Sequence, residues 1–298
     1  EKPSSVQLGA SQLAKAKGYR AAQLAEGLDG LGVDRKTIDQ AADILSRALK
    51  PSKTPGFLIV AGPRHSAADR IADFALEMVG SDPIIMGRED LENPGFGPIY
   101  GSVDGGIPTG ADGLLSQENL EDVGSAADTR SEKSAAQVDF LERLAEMGRT
   151  GTVTAFSKEN GRGNPESKTT KLNNTIFVLR FEGSARELED LMGSNSDLAP
   201  LRGSIVSIAN PTPEAQVNFL QQQLNFRLEA AGLAKGTVAQ ISSNLKAGLQ
   251  SAAKKLGPNA FMDRFSDPLF NDISEILNSV PMDAMEVSWS TRLTPGER

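Results

Sequence analysis

One short turn holds the residues with the clearest chemical potential. Gly62, Pro63, Arg64, His65 and Ser66 follow the apolar run FLIVAG, and Ala68 and Asp69 come directly after. A phosphate-binding turn needs Gly-rich backbone so that N–H groups can wrap the anion, a Lys to neutralise it, and a Ser or Thr hydroxyl for Mg²⁺. No Gly-Lys-Ser/Thr string occurs anywhere in the chain. His65 is the only histidine, which excludes a His-rich metal centre and any Ser-His-Asp triad that does not use it. With no cysteine, disulfides, thiolate metal sites and a Cys nucleophile are excluded as well. Glu118, Glu121 and Asp122 cluster, and read as the solvated face of a helix.

These residues need elements to position them. FLIVAG, Phe57 to Gly62, is short, apolar and rich in branched side chains, as a strand buried on both faces would be. Ala67 to Met78 reads as a helix, so strand, tight turn and helix open a βαβ unit. Upstream, residues 1–28 read as a helix or leader. Asp34 to Leu49 puts Ile38, Ala41, Ala42, Leu45 and Leu49 on one helical face. Glu92 to Gly113 reads as a long Gly/Pro-rich loop, and Gly124 to Ala136 as a flexible polar stretch. Gln137 to Met147 reads as an amphipathic helix and Arg149 to Asn173 as a hairpin or loop. TIFVLRF (Thr175 to Phe181) and GSIVSIA (Gly203 to Ala209) read as two more core strands. From Thr212 onward the pattern is helical, in three segments of which the last begins at Asp267 (DPLFNDISEILNSV). The expected architecture is a parallel-sheet α/β domain followed by a helical one.

The 298 residues suffice for one large and one smaller domain. A net charge of −8 with no basic run argues against nucleic acid as the main partner. The apolar runs are too short to span a membrane, and no signal peptide opens the chain. A start at Glu1 without Met fits a processed product or a fragment.

The order of segments resembles the Clp branch of the AAA+ ATPases, over residues 28 to 290. VDRKTIDQAADILSRAL is similar to the family's helix before the nucleotide strand, and FLIVAGPRHSAADRIADFAL to its strand, phosphate loop and helix. NPGFGPIYGSVDGG resembles the pore loop, and FLERLAEMGRTG the helix and turn after the Walker B strand. LNNTIFVLRFEGS resembles the sensor-1 strand, and LRGSIVSIANPTPEAQVNFLQQQL the arginine-finger strand with the first lid helix. The resemblance implies an AAA+-like P-loop domain with a central parallel sheet, then a small C-terminal helical lid. Its boundaries fall at a leader over 1–27, the α/β domain over 28–210 and the lid over 211–298.

The same resemblance implies that the catalytic positions are degenerate. In the loop Gly62 and Pro63 match, Ala68 stands where Lys is expected and Asp69 where Ser or Thr is expected. A carboxylate about 4–5 Å from a phosphate, at an effective dielectric of about 20, costs roughly 3–4 kcal/mol per pair before screening. Arg64 and His65 would supply charge from another angle, or sit on an exposed turn. Ser116 and Gln117 occupy the Walker B acid positions, and Glu182 the sensor-1 position. Arg202 stands at the arginine-finger position, as a finger or as an interface or surface residue. Arg264 is a weak substitute for the sensor-2 arginine. In the pore-loop match, Phe96 and Tyr100 either grip polypeptide or pack back on the domain.

The expectation is a degenerate, non-hydrolysing Clp-type module, a pseudo-ATPase that serves as a protein-binding scaffold or regulator. The alternatives are a non-standard ATPase or unfoldase using Arg64 and Arg202, and an exported effector built on this shell. No metal and no cofactor are expected; ATP with Mg²⁺ would need an unusual site. The expected partner is a protein, either an AAA+ relative or a polypeptide substrate, with no nucleic acid and no membrane. A cytoplasmic monomer or weak oligomer completes the expectation.

Overall fold

A computed structural model of the chain describes residues 10–50, 52–79, 84–85, 115–119, 130–156, 167–172, 175–232 and 243–279. It is a mixed α/β protein that divides into two compact units.

The first unit is built on a five-stranded parallel sheet. Its strands are β1 (Gly56–Ala61), β2 (Ile84–Ile85), β3 (Leu115–Asn119), β6 (Ile176–Phe181) and β7 (Ile205–Ser207), in the order β2-β3-β6-β1-β7. β1 lies between β6 and β7, and Phe57 to Ala61 are all buried. Strands covered on both faces keep apolar residues on both faces. Phe57 stacks on its register partner Phe177, with ring centroids 5.7 Å apart. On that face Phe57, Ile59 and Ala61 join a core with Phe140, Leu141, Leu144, Leu179 and Leu188.

Helix α1 (Ala10–Gly27) packs on α2 (Arg35–Ala48). α2 starts where the Asp34 carboxylate accepts from the Thr37 N–H at 2.7 Å, and it buries Ile38, Ala41, Ala42 and Leu45. From α2, Gln40 Nε2 donates to the Ile205 carbonyl of β7 at 3.0 Å, and Arg47 Nη2 to the Gly203 carbonyl at 3.1 Å. α3 (Ala67–Val79) follows β1. α4 (Arg130–Thr150) presents Phe140, Leu141, Leu144 and Ala145 to the core. α5 (Ala185–Met192) opens with a capping box between Ser184 and Glu187. The short α6 (Ala199–Arg202) leads into β7.

Three sequence expectations change, and one is made specific. Gly124 to Ala136 is not uniformly irregular, because α4 begins at Arg130; Ser, Glu, Lys and Ala are adequate helix formers without an apolar stripe. Glu118 sits in strand β3, opposite Leu179, and not on a helix face. LSQEN has no strand-like composition of its own and is a strand by virtue of its ladders to β2 and β6. In the stretch Arg149 to Asn173, expected as a hairpin or loop, β4 (Thr152–Phe156) pairs antiparallel with β5 (Ser167–Lys171). The last helix starts nine residues before Asp267, as described next. Glu121, Asp122 and the segment Glu92 to Gly113 lie outside the described residues.

The second unit comprises Leu28–Val33, Pro63–Ala67 and the chain from Asn210. Its helices are α7 (Pro213–Ala230), α8 (Ser243–Lys255) and α9 (Pro258–Ser279). α7 is capped by Thr212, whose hydroxyl accepts from the Ala215 N–H at 3.1 Å, and has Pro213 in its first turn. It buries Val217, Phe219, Leu220, Leu224 and Leu228 and packs on α8 and α9. Arg227 clasps α9, donating to Asp267 at 2.8 Å and lying 4.1 Å from the centre of the Phe270 ring. Asn218 Nδ2 donates to the Gly30 carbonyl at 2.8 Å, which fixes Leu28–Val33 on α7. α9 runs through Pro268, a residue that in sequence reads as a helix start.

Candidate functional site

The end of β1 and the start of α3 meet the residue that the sequence reading passed over. Arg180, in the fifth position of β6, is 2% exposed. Its Nε and Nη2 both donate to Asp69 Oδ1, at 3.1 and 2.7 Å. Nη1 donates to the Val60 carbonyl at 2.6 Å and Nη2 also reaches the Gly62 carbonyl at 3.5 Å. One guanidinium therefore binds three points: two carbonyls near the end of β1 and the carboxylate in the first turn of α3. A buried guanidinium needs partners for its donors, and here they are a carboxylate and backbone oxygens.

This corrects the electrostatic expectation for Asp69. Read alone it is an added acid; in the fold Arg180 neutralises it. The signal in the sequence was a lone cation inside the apolar run FVLRF, a placement that is rare unless the charge is paired.

Gly62 is closely surrounded. A Cβ at this position would lie 2.8 Å from Ile208 Cβ and 3.3 Å from Ala68 Cβ, so only glycine fits without a shift. The Gly62 N–H donates to the Phe181 carbonyl at 2.8 Å and so faces β6. The Ala68 methyl is fully buried. Gly62, Ala68 and Asp69 together offer neither a cation nor a hydroxyl to a polyphosphate, and the neighbouring cation is already engaged. Gly62, Ala68 and Asp69 thus lack the ammonium and hydroxyl that a standard phosphate loop offers to MgATP.

Within the second unit, Ser66 Oγ donates to the Pro63 carbonyl at 2.6 Å. His65 has φ of 55°, in the left-handed region, and its ring meets Phe219 edge-on at 6.3 Å. Arg64 is half-buried in the same turn.

The remaining predicted positions fall as follows. Ser116 and Gln117 lie in the middle of β3, opposite Phe177 and Val178, and the strand ends at Asn119, opposite Arg180. β6 ends at Phe181, so Glu182 is the first residue beyond the strand. Arg202 Nη2 donates to the Gly193 carbonyl at 2.5 Å and to the Met192 carbonyl at 3.4 Å, at the C-terminus of α5. Arg264 lies over the neighbouring Phe265 ring. Phe96 and Tyr100 lie outside the described residues. Among the described residues no cluster of three or more His, Asp or Glu could hold a metal ion, and no helix is long and apolar enough to cross a membrane. No family model matches the chain, and no curated protein matches it.

Proposed function

We propose that this chain is a catalytically inactive AAA+-like module of the Clp type, acting as a protein-binding scaffold or regulator without ATP hydrolysis. The observation that carries the reading is the engagement of Arg180 with Asp69, Val60 and Gly62, which puts an internal ion pair beside the turn where the resemblance expects phosphate. The parallel strand order β2-β3-β6-β1-β7 supports it as well: β1, which precedes the turn, is flanked by the second and third of the predicted core strands. In chain order, helices follow the sheet from Thr212 onward, which accords with the expectation of a helical lid. A parallel sheet whose turn after β1 carries Ala68 and Asp69 where the resemblance expects Lys and Ser or Thr supports a binding role over a hydrolytic one. The partner class is an extended polypeptide or an AAA+ relative, and the compartment that this implies is the cytoplasm.

Titration calorimetry with ATP and Mg²⁺ tests the inactive half of the reading. No binding heat is expected, and a micromolar dissociation constant would overturn it. Fluorescence anisotropy of a labelled unfolded polypeptide tests the binding half. Saturable binding without nucleotide is expected, weakened by Phe96→Ala together with Tyr100→Ala; no binding at any concentration removes the scaffold reading for polypeptides.

A further inference from the structure

The pair at the foot of α3 has a physical oddity. Taking a guanidinium out of water is costly, and well-packed apolar residues of similar volume often match or exceed the net stability of a buried ion pair. Stability alone therefore does not account for Arg180 at a position that is 2% exposed. Geometry does. The flat fork of an arginine accepts a narrow range of partner positions, whereas methylene groups accept many. Here the fork is satisfied by groups on two elements at once: Val60 and Gly62 at the end of β1, and Asp69 in the first turn of α3. Gly62 adds to the constraint, since its N–H is bound to Phe181, the residue after Arg180.

We propose that the Arg180–Asp69 pair is a conformational lock, holding the end of β1 and the first turn of α3 in a single arrangement that needs no ligand, with little net contribution to stability. Arg180 is thus a positioning residue. The inference extends the reading of the module as inactive by making this arrangement constitutive, yet it is tested without nucleotide. Amide hydrogen exchange and thermal unfolding are measured on the full chain and on Arg180→Met, Asp69→Leu and the double variant. Each single variant leaves one partner without the other and is expected to melt several degrees early. The double variant is expected to melt within about 4 °C of the parent. In the double variant, exchange at Gly62 and at Ala68 to Ile71 should quicken by about tenfold or more, with Leu141 to Ala145 in α4 unchanged. A double variant that melts as early as the worse single variant, or fails to fold, makes the pair an ordinary source of stability and overturns the proposal. Unchanged exchange at Gly62 and Ala68 to Ile71 overturns it too. A parallel arm adds MgATP to the parent: slower exchange at Gly62 and Asp69 would count against the inactive reading, while the lock stands or falls on the variants alone.

Discussion

Arg202 closes the open end of α5 through the Gly193 carbonyl, 2.5 Å from its Nη2. The last carbonyls of a helix lack intrahelical partners and carry partial negative charge, so a guanidinium there is favourable twice over. The interaction gives the residue a structural task within its own unit.

Arg202→Ala is therefore expected to lower stability by about 1 kcal/mol, read as a lower urea midpoint with an unchanged slope. Phosphate release from ATP should be absent in both proteins. Turnover in the parent that Arg202→Ala abolishes would restore the arginine-finger role and sink the inactive reading.

Gly151 joins α4 to β4 with φ of 66°, and a Cβ there would strike the Lys53 carbonyl oxygen. Gly151→Ala combines left-handed strain with this collision, and a loss of roughly 2–4 kcal/mol is expected. Gly232→Ala is the control: its φ is 71° but a Cβ would meet nothing within 4 Å, so only the conformational part, about 1 kcal/mol, should appear. Equal losses in chemical denaturation would show that the Lys53 contact is easily relieved.

Arg227 holds α9 through Asp267, through the Ser266 hydroxyl that accepts from its Nη1 at 3.0 Å, and through the Phe270 ring, and these contacts differ in strength. Asp267 is 77% exposed, so its ion pair with Arg227 is worth at most about 0.5 kcal/mol after screening. The Phe270 ring, 4.1 Å away, contributes a cation–π attraction of about 0.5–1 kcal/mol. Asp267→Asn should then cost less than Arg227→Met. A double-mutant cycle of Arg227→Met with Phe270→Leu should give the larger coupling; a coupling of zero would assign the clasp to Asp267 and Ser266 alone.

The Asp34 carboxylate is held below its ordinary pKa, first by the backbone N–H of Thr37 that donates to it. A group depressed in the folded state contributes stability above its unfolded pKa, and that contribution is lost as pH falls through the lower folded value. Asp34→Asn keeps a capping oxygen but cannot titrate. The stability gap between parent and variant should therefore shrink as pH drops through and below the usual carboxylate range. A gap that stays constant from neutrality to acid would show that the cap does not depend on charge.

The elements that the sequence displayed were those with burial written into composition. FLIVA and IFVL are apolar because side chains on both faces of these strands are buried, and Ile38, Ala41, Ala42 and Leu45 repeat at helical spacing because one face is buried. The composition of LSQEN does not show β3, which owes its strand form to neighbours distant in the chain; only the resemblance set Ser116 and Gln117 on a strand. The start of α4 at Arg130 was hidden because polar helix formers carry no stripe. In the candidate site, the residue types at Ala68 and Asp69, neither cationic nor hydroxylic, could be read directly. What could not be read was the pairing of Asp69 with Arg180, 111 residues away, because it depends on β6 lying beside β1.

The last feature concerns the rim of the sheet. β7 is a terminal strand of three residues, and the side-chain amide of Gln40 occupies the Ile205 carbonyl. A terminal strand with open carbonyls is a template on which another chain can add itself, and stacking of that kind leads to fibres. Here the template is short and one of its acceptors is already filled. Association by strand addition along this side is thereby discouraged, and the sheet is kept from extending into a polymer through the backbone of β7.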